Sequence, residues 1–146
     1  LAGNRATTQG GGIHNGGGTL VLQSGTVVNN YKEGLNRAAG SVSATNTLFW
    51  ANTSDIVGSV TLGYCNTESG IDAGVNGNMS VDPQFSPKVG KAYHLDRDSP
   101  LVNAGVAQAW MSGAVDLYGS RRIEGGRPDI GCYEVLAPRG TIMVLH

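Results

Sequence analysis

Seven residues carry groups that could run acid–base chemistry: Asp82, Asp96, Asp98, Asp116, Asp129, Glu134 and Arg122. Carboxylates on neighbouring strands can hold Ca2+, which neutralises a uronate carboxylate while a Lys or Arg takes the α-proton. That is the chemistry of a polysaccharide lyase, and the spacing here speaks against it. Residues 1–52 contain no Asp, and their only charges are Arg5, Lys32, Glu33 and Arg37. The acids gather toward the C-terminus, where Asp116, Arg121, Arg122 and Asp129 read more naturally as ion pairs and turn caps. No catalytic residue is assigned.

Other chemistries fare no better. His14, His94 and His146 are far apart and lack metal-ligand spacing, so no metal site is assigned. Ser99 and Ser120 have no Gly-x-Ser-x-Gly context. Gly10–Gly12 and Gly16–Gly18 lack the Lys-Ser/Thr pair and following helix of a phosphate loop, and read as tight turns. Cys65 and Cys132 have no CxxC partner. They are either two small buried side chains or a bridge closing a long loop, worth roughly 4 kcal/mol in the chain-entropy model.

The elements that would position these groups are strands. The chain has 146 residues, enough for one domain with a real core, with 23 Gly and only 14% charged residues. Strong helix formers rarely run together, and apolar residues come in short runs. A net charge of −1 gives no long-range pull toward nucleic acid. No apolar run approaches the roughly 20 residues of a membrane span, and the tail Thr141–Leu145 is far too short. The start at Leu1 reads as a processed chain or as the end portion of a longer one.

A shift of 22 residues aligns Gly12 with Gly34, Ile13 with Leu35, Gly18 with Gly40, Leu20 with Val42, Val27 with Phe49 and Asn30 with Asn52. Within each repeat, Thr19–Gln23 and Ser41–Thr45 alternate at period two, as strands with one buried face do. Short second strands follow at Gly25–Val28 and Thr47–Trp50. Asn30 and Asn52 then stand at turns, and Asn4 begins the same series. Stacked at the inter-strand spacing of about 4.8 Å, each Asn side chain can bond the backbone of the next. A doubly wound α/β fold would need helical crossovers, and none is visible before Ala104. Ala104–Ser112 is the best short helix, with Trp110 and Met111 packing on the end of the stack. A β-sandwich is the alternative fold.

Several motifs together resemble a known pattern. Gly10-Gly11-Gly12-Ile13-His14-Asn15 and Gly18-Thr19-Leu20-Val21-Leu22 are similar to a coil of bacterial right-handed parallel β-helix repeat proteins. Val60–Asn66 and Val81-Asp82-Pro83-Gln84-Phe85 continue it, followed by Tyr93-His94-Leu95 and Ser99–Gly105. With Asp116–Arg122 and Asp129-Ile130-Gly131-Cys132-Tyr133-Glu134, this order resembles the end domain called choice-of-anchor Q. Asn103 stands where that pattern usually has Asp, and Cys132 where Ala is common. The resemblance implies an all-β, right-handed single-stranded parallel β-helix of the pectate-lyase-like type, export, and display at the bacterial surface. It implies no reaction, since such folds serve adhesins and lyases alike.

The resulting expectation places β-helix coils at residues 1–103 and a capping segment at 104–146. Asn30, Asn52, Asp116, Arg122 and Asp129 are structural turn and cap residues. With Val27 and Phe49 inside, Val28, Leu48 and Trp50 form an outer ridge, which either stacks sugar rings or is covered by the end segment. The function expected is a non-catalytic secreted or surface scaffold or binding domain. Polysaccharide or cell-surface glycan is the partner class, and the open N-terminal edge offers self-association. The alternative is part of a polysaccharide lyase or glycoside hydrolase of the β-helix type. No cofactor is expected, and Ca2+ enters only under the lyase alternative.

Overall fold

The computed structural model describes residues 1–88, 90, 92–123 and 126–136. The tail Thr141–Leu145 and His146 lie outside these, as does part of the expected capping segment.

The strands are β1 (Ile13–Gln23), β2 (Thr26–Val28), β3 (Glu33–Thr45), β4 (Leu48–Trp50), β5 (Ser54–Val57), β6 (Thr61–Gly63) and β7 (Asn66–Thr67). They form two sheets, one running β1-β3-β5 with β6 also on β3, the other β2-β4-β7. The chain thus visits the sheets alternately, and every pairing between these strands is parallel. The antiparallel layers of a β-sandwich are not what forms. The register reproduces the repeat: Ile13 opposes Leu35, Leu20 opposes Val42, Val27 opposes Phe49 and Val28 opposes Trp50.

The long strands begin earlier than the alternation alone indicates, because the Gly-rich stretches belong to them. The β1–β3 ladder shifts register twice between Asn15 and Thr19, and Gly18 and Gly40 take the left-handed backbone (φ +73° and +72°) that lets the strand bend without a Cβ clash. Two further left-handed corners recur in each pass. Ser24 and Asn46 turn the chain from the first sheet to the second, and Asn29 and Ala51 turn it out again. The turn asparagines Asn30 and Asn52 are therefore not themselves the left-handed residues, which directly precede them.

Between the sheets lies an apolar core of Val27, Leu35, Val42, Ala44, Phe49, Ile56, Leu62 and Cys65. Cys65 and Cys132 are both free thiols. Burial pushes the Cys65 thiol up to about 11, so it behaves as a small core side chain.

Beside the core runs a ladder of amides. The Asn30 side-chain oxygen accepts from the Asn4 backbone N–H (3.0 Å) and Asn4 Nδ2 (2.9 Å). The Asn52 oxygen accepts from Asn30 N–H (3.0 Å) and Asn30 Nδ2 (2.9 Å) in the same way. Asn52 Nδ2 then donates to Val27 O (2.9 Å) and Asp55 Oδ1 (3.0 Å). Asp55 closes the ladder, its other oxygen accepting the Ser69 N–H (3.1 Å). Each buried amide finds partners one pass away, so its burial costs little.

The strands stop at Thr67, well short of residue 103, and the remainder is turns. The expected helix over Ala104–Ser112 is reduced to one 3-10 turn at Ala109–Met111. The cause is tertiary. Asn46 Nδ2 donates to Val106 O (2.8 Å), its Oδ1 accepts Val106 N–H (2.8 Å), and Gly105 N–H donates to Pro128 O (2.8 Å). Those backbone groups are engaged outward and cannot close helical turns. A Cβ on Gly105 would lie 2.9 Å from Asn46 Oδ1 and 2.8 Å from Pro128 O, so this clamp needs glycine. Met111 is buried as expected, whereas Trp110 is exposed and donates to Gln108.

Candidate functional site

The outer ridge is covered. Leu48 packs with Leu95, Leu101 and Ile130 of the end segment, with Trp50, Phe85 and Val135 around them. Val28 and Leu48 are each 1% exposed and Trp50 is half-buried. Val28, Leu48 and Trp50 therefore offer no open surface for stacking sugar rings. The coverage follows from alternation: Phe49 fills the inner core, so Leu48 faces outward and needs a second apolar layer.

The end segment is held by a buried charge cluster. Arg122 donates from Nη1 to Gly131 O (3.1 Å) and Glu134 Oε1 (3.2 Å), and from Nη2 to Cys132 O (3.0 Å). Asp129 accepts the N–H groups of Asn103 and Val135, both at 2.7 Å. Asp116 accepts those of Tyr118, Ser120 and Glu134, each at 2.8 Å. Glu134 Oε2 takes the Asp129 N–H at 2.9 Å. Three of the acids considered for catalysis thus converge, but inside the protein and with their oxygens engaged by backbone donors and Arg122. Of the other acids, Asp82 and Asp96 cap their own turns, accepting Gln84 N–H (2.8 Å) and Asp98 N–H (3.3 Å).

Burial raises the Glu134 carboxyl to about 8 against the pull of Arg122, and burial likewise raises that of Asp129. A carboxyl raised in the fold stabilises most where it is protonated in both states, and that stabilisation is lost as pH rises toward the folded value. Thermal stability is therefore expected to fall between about pH 4.5 and about pH 8. Melting temperatures measured across that range test this; in Glu134→Gln the decline should be flatter.

On the outside of this cluster lies a pocket of about 490 Å³ lined by Lys88, His94, Asp96, Arg97, Ser120 and Glu134, among others. The His94 ring stacks on Tyr133 at 3.7 Å with 11° between planes, and Tyr118 meets its edge at 5.0 Å. Both His94 ring nitrogens are buried with no hydrogen-bond partner among the described residues. Lys88 and Arg97 bring positive charge to the rim, and the rise at Glu134 reduces the negative charge behind it. The arrangement offers a ring-sized polar recess with an aromatic wall, suited to a sugar or small organic anion. Nothing matches this chain among the protein-family models, the curated proteins or the solved structures.

The motif Tyr93-His94-Leu95 stood out in sequence, but its meeting with Tyr118 and Tyr133 did not. They lie 24 and 39 positions downstream of His94, on separate turns, and no periodicity links them. Asn46 as the clamp on residues 105–106 was equally hidden. Its place at a repeat corner was the one available signal. Among the described residues, no three of His, Cys, Asp and Glu are grouped so as to hold a metal ion, and no helix is long and apolar enough to cross a membrane.

Proposed function

We propose that this chain is the end portion of a right-handed parallel β-helix of the bacterial repeat type, closed by a choice-of-anchor Q-like segment. In this reading it is exported and serves, without catalysis, as a rigid secreted or surface-displayed scaffold. Support for the fold comes from the parallel ladders with a 22-residue register, and for the hand from the strong right-handed bias of parallel crossovers, about 98%. Support for a scaffold comes from one observation above all. The acids that could have served catalysis, Asp116, Asp129 and Glu134, are buried and spend their oxygens fastening the end segment.

A polysaccharide or cell-surface glycan is the partner class proposed. The described place for it is the recess beside Tyr118, whose ring is exposed. The same recess is what keeps the lyase alternative in view, because Lys88 and Arg97 could act there as base on a uronate beside Asp96. Incubation with uronate polymers and Ca2+, followed by ultraviolet absorbance, separates the two. The scaffold reading expects no unsaturated product. Its accumulation, abolished by Lys88→Ala or Arg97→Ala, would replace that reading with the enzyme.

A further inference from the structure

The two ends of the strand stack are not alike. At the end where β6 and β7 lie, residues 76–81 occupy the backbone edge. Tyr64 N–H donates to Asn76 O (3.0 Å), Met79 N–H to Cys65 O (2.8 Å) and Thr67 N–H to Met79 O (3.1 Å). The Asn78 side chain bridges Cys65 N–H (2.9 Å) and Leu62 O (3.2 Å). At the other end, β1 pairs with β3 alone, and among the described residues nothing pairs with its outer edge.

Burial shows the same asymmetry. Leu35, Val42 and Ala44 are buried at 0, 5 and 1% exposure, yet their repeat equivalents Ile13, Leu20 and Leu22 are only partly covered. The amide ladder is likewise unfinished there. Asn30 and Asn52 accept from the preceding pass, while no donor among the described residues reaches the Asn4 side-chain oxygen. This edge also lacks the usual protection. No Asp, Glu, Lys, Arg or Pro occurs from Ala6 to Tyr31, and exposed edges are normally blunted by such residues.

We propose that the free edge of β1 joins a second copy of this chain, strand against strand about a two-fold axis. Only one end of the stack is open, so copies cannot add head to tail, and the assembly closes at two. The edge presents uncharged backbone to uncharged backbone, so self-pairing meets no like-charge repulsion. A strand of 11 residues is about 36 Å long, and the end face is about 10 Å deep. That area falls below the roughly 800 Å² per partner of a standard interface, so the dimer forms reversibly with concentration.

Sedimentation equilibrium over a concentration series should show mass rising from one chain to two and stopping there. Val21→Pro is the blocking variant. Ser24 N–H donates toward β3, to Thr45 O, so strand alternation points the Val21 N–H at the free edge and the substitution spares the internal ladder. It should stay monomeric at every concentration with an unchanged far-ultraviolet circular dichroism spectrum. Hydrogen exchange on the unmodified chain gives a second reading, since the Thr19, Val21 and Gln23 amides should exchange more slowly as concentration rises. A monomer throughout, growth past two chains, a folded Val21→Pro dimer, or exchange at these amides independent of concentration would each overturn the proposal.

Discussion

Replacing Arg122 with Ala is expected to cost about 3–5 kcal/mol of folding stability, the range for breaking a buried ion pair from one side. The substitution removes the donors to Gly131 O, Cys132 O and Glu134 Oε1 together. It also leaves Glu134, Asp129 and Asp116 without the one cation buried among them, so part of the cost is mutual repulsion of carboxylates. Urea denaturation at neutral pH and again near pH 4.5 measures this. Protonation of the acids should recover part of the loss at the lower pH. A loss under 1 kcal/mol at neutral pH would show that the cluster does not hold the end segment in place.

Asn52→Ala is expected to cost about 3 kcal/mol, from several unsatisfied groups at roughly 1–3 kcal/mol each when fully buried. The Asn30 N–H and Nδ2 lose their acceptor, and Val27 O and Asp55 Oδ1 lose their donor. The damage lies in the neighbours more than in the missing side chain, so Asn30→Ala combined with Asn52→Ala should cost less than the two singly added. Chemical denaturation of the three variants closes this cycle. Simple additivity would mean that the two amides act independently rather than as one ladder.

The parts of this structure legible in sequence are those set by near-neighbour spacing. Identical residue types 22 positions apart declared the register of β1 with β3 and β2 with β4, and alternation placed Phe49 inside. Asn30 and Asn52 stood out because a buried amide at a fixed repeat position needs a partner in the next pass. What stayed hidden depends on where the irregular end segment returns. Whether Leu48 faces water or Leu101 is decided by residues some 50 positions away, and the sequence offered both outcomes. The helix expected at Ala104–Ser112 failed for a related reason: local propensity there is overridden by Asn46, a partner 60 residues distant. The His94 recess is farther still from view, because its walls come from three turns with no shared period.

The amide ladder has a direction, each side-chain oxygen accepting from the pass before, and Asp55 supplies the last acceptor. Asn30 and Asn52 occupy equivalent corners, so excising residues 31–52 would set Asn30 three places before Asp55, where Asn52 now stands. Inserting a duplicate of that stretch would leave every corner matched in the same way. The array can therefore be shortened or lengthened in whole-turn increments while its terminator stays fixed, a route by which reach could be tuned in evolution without redesigning either end.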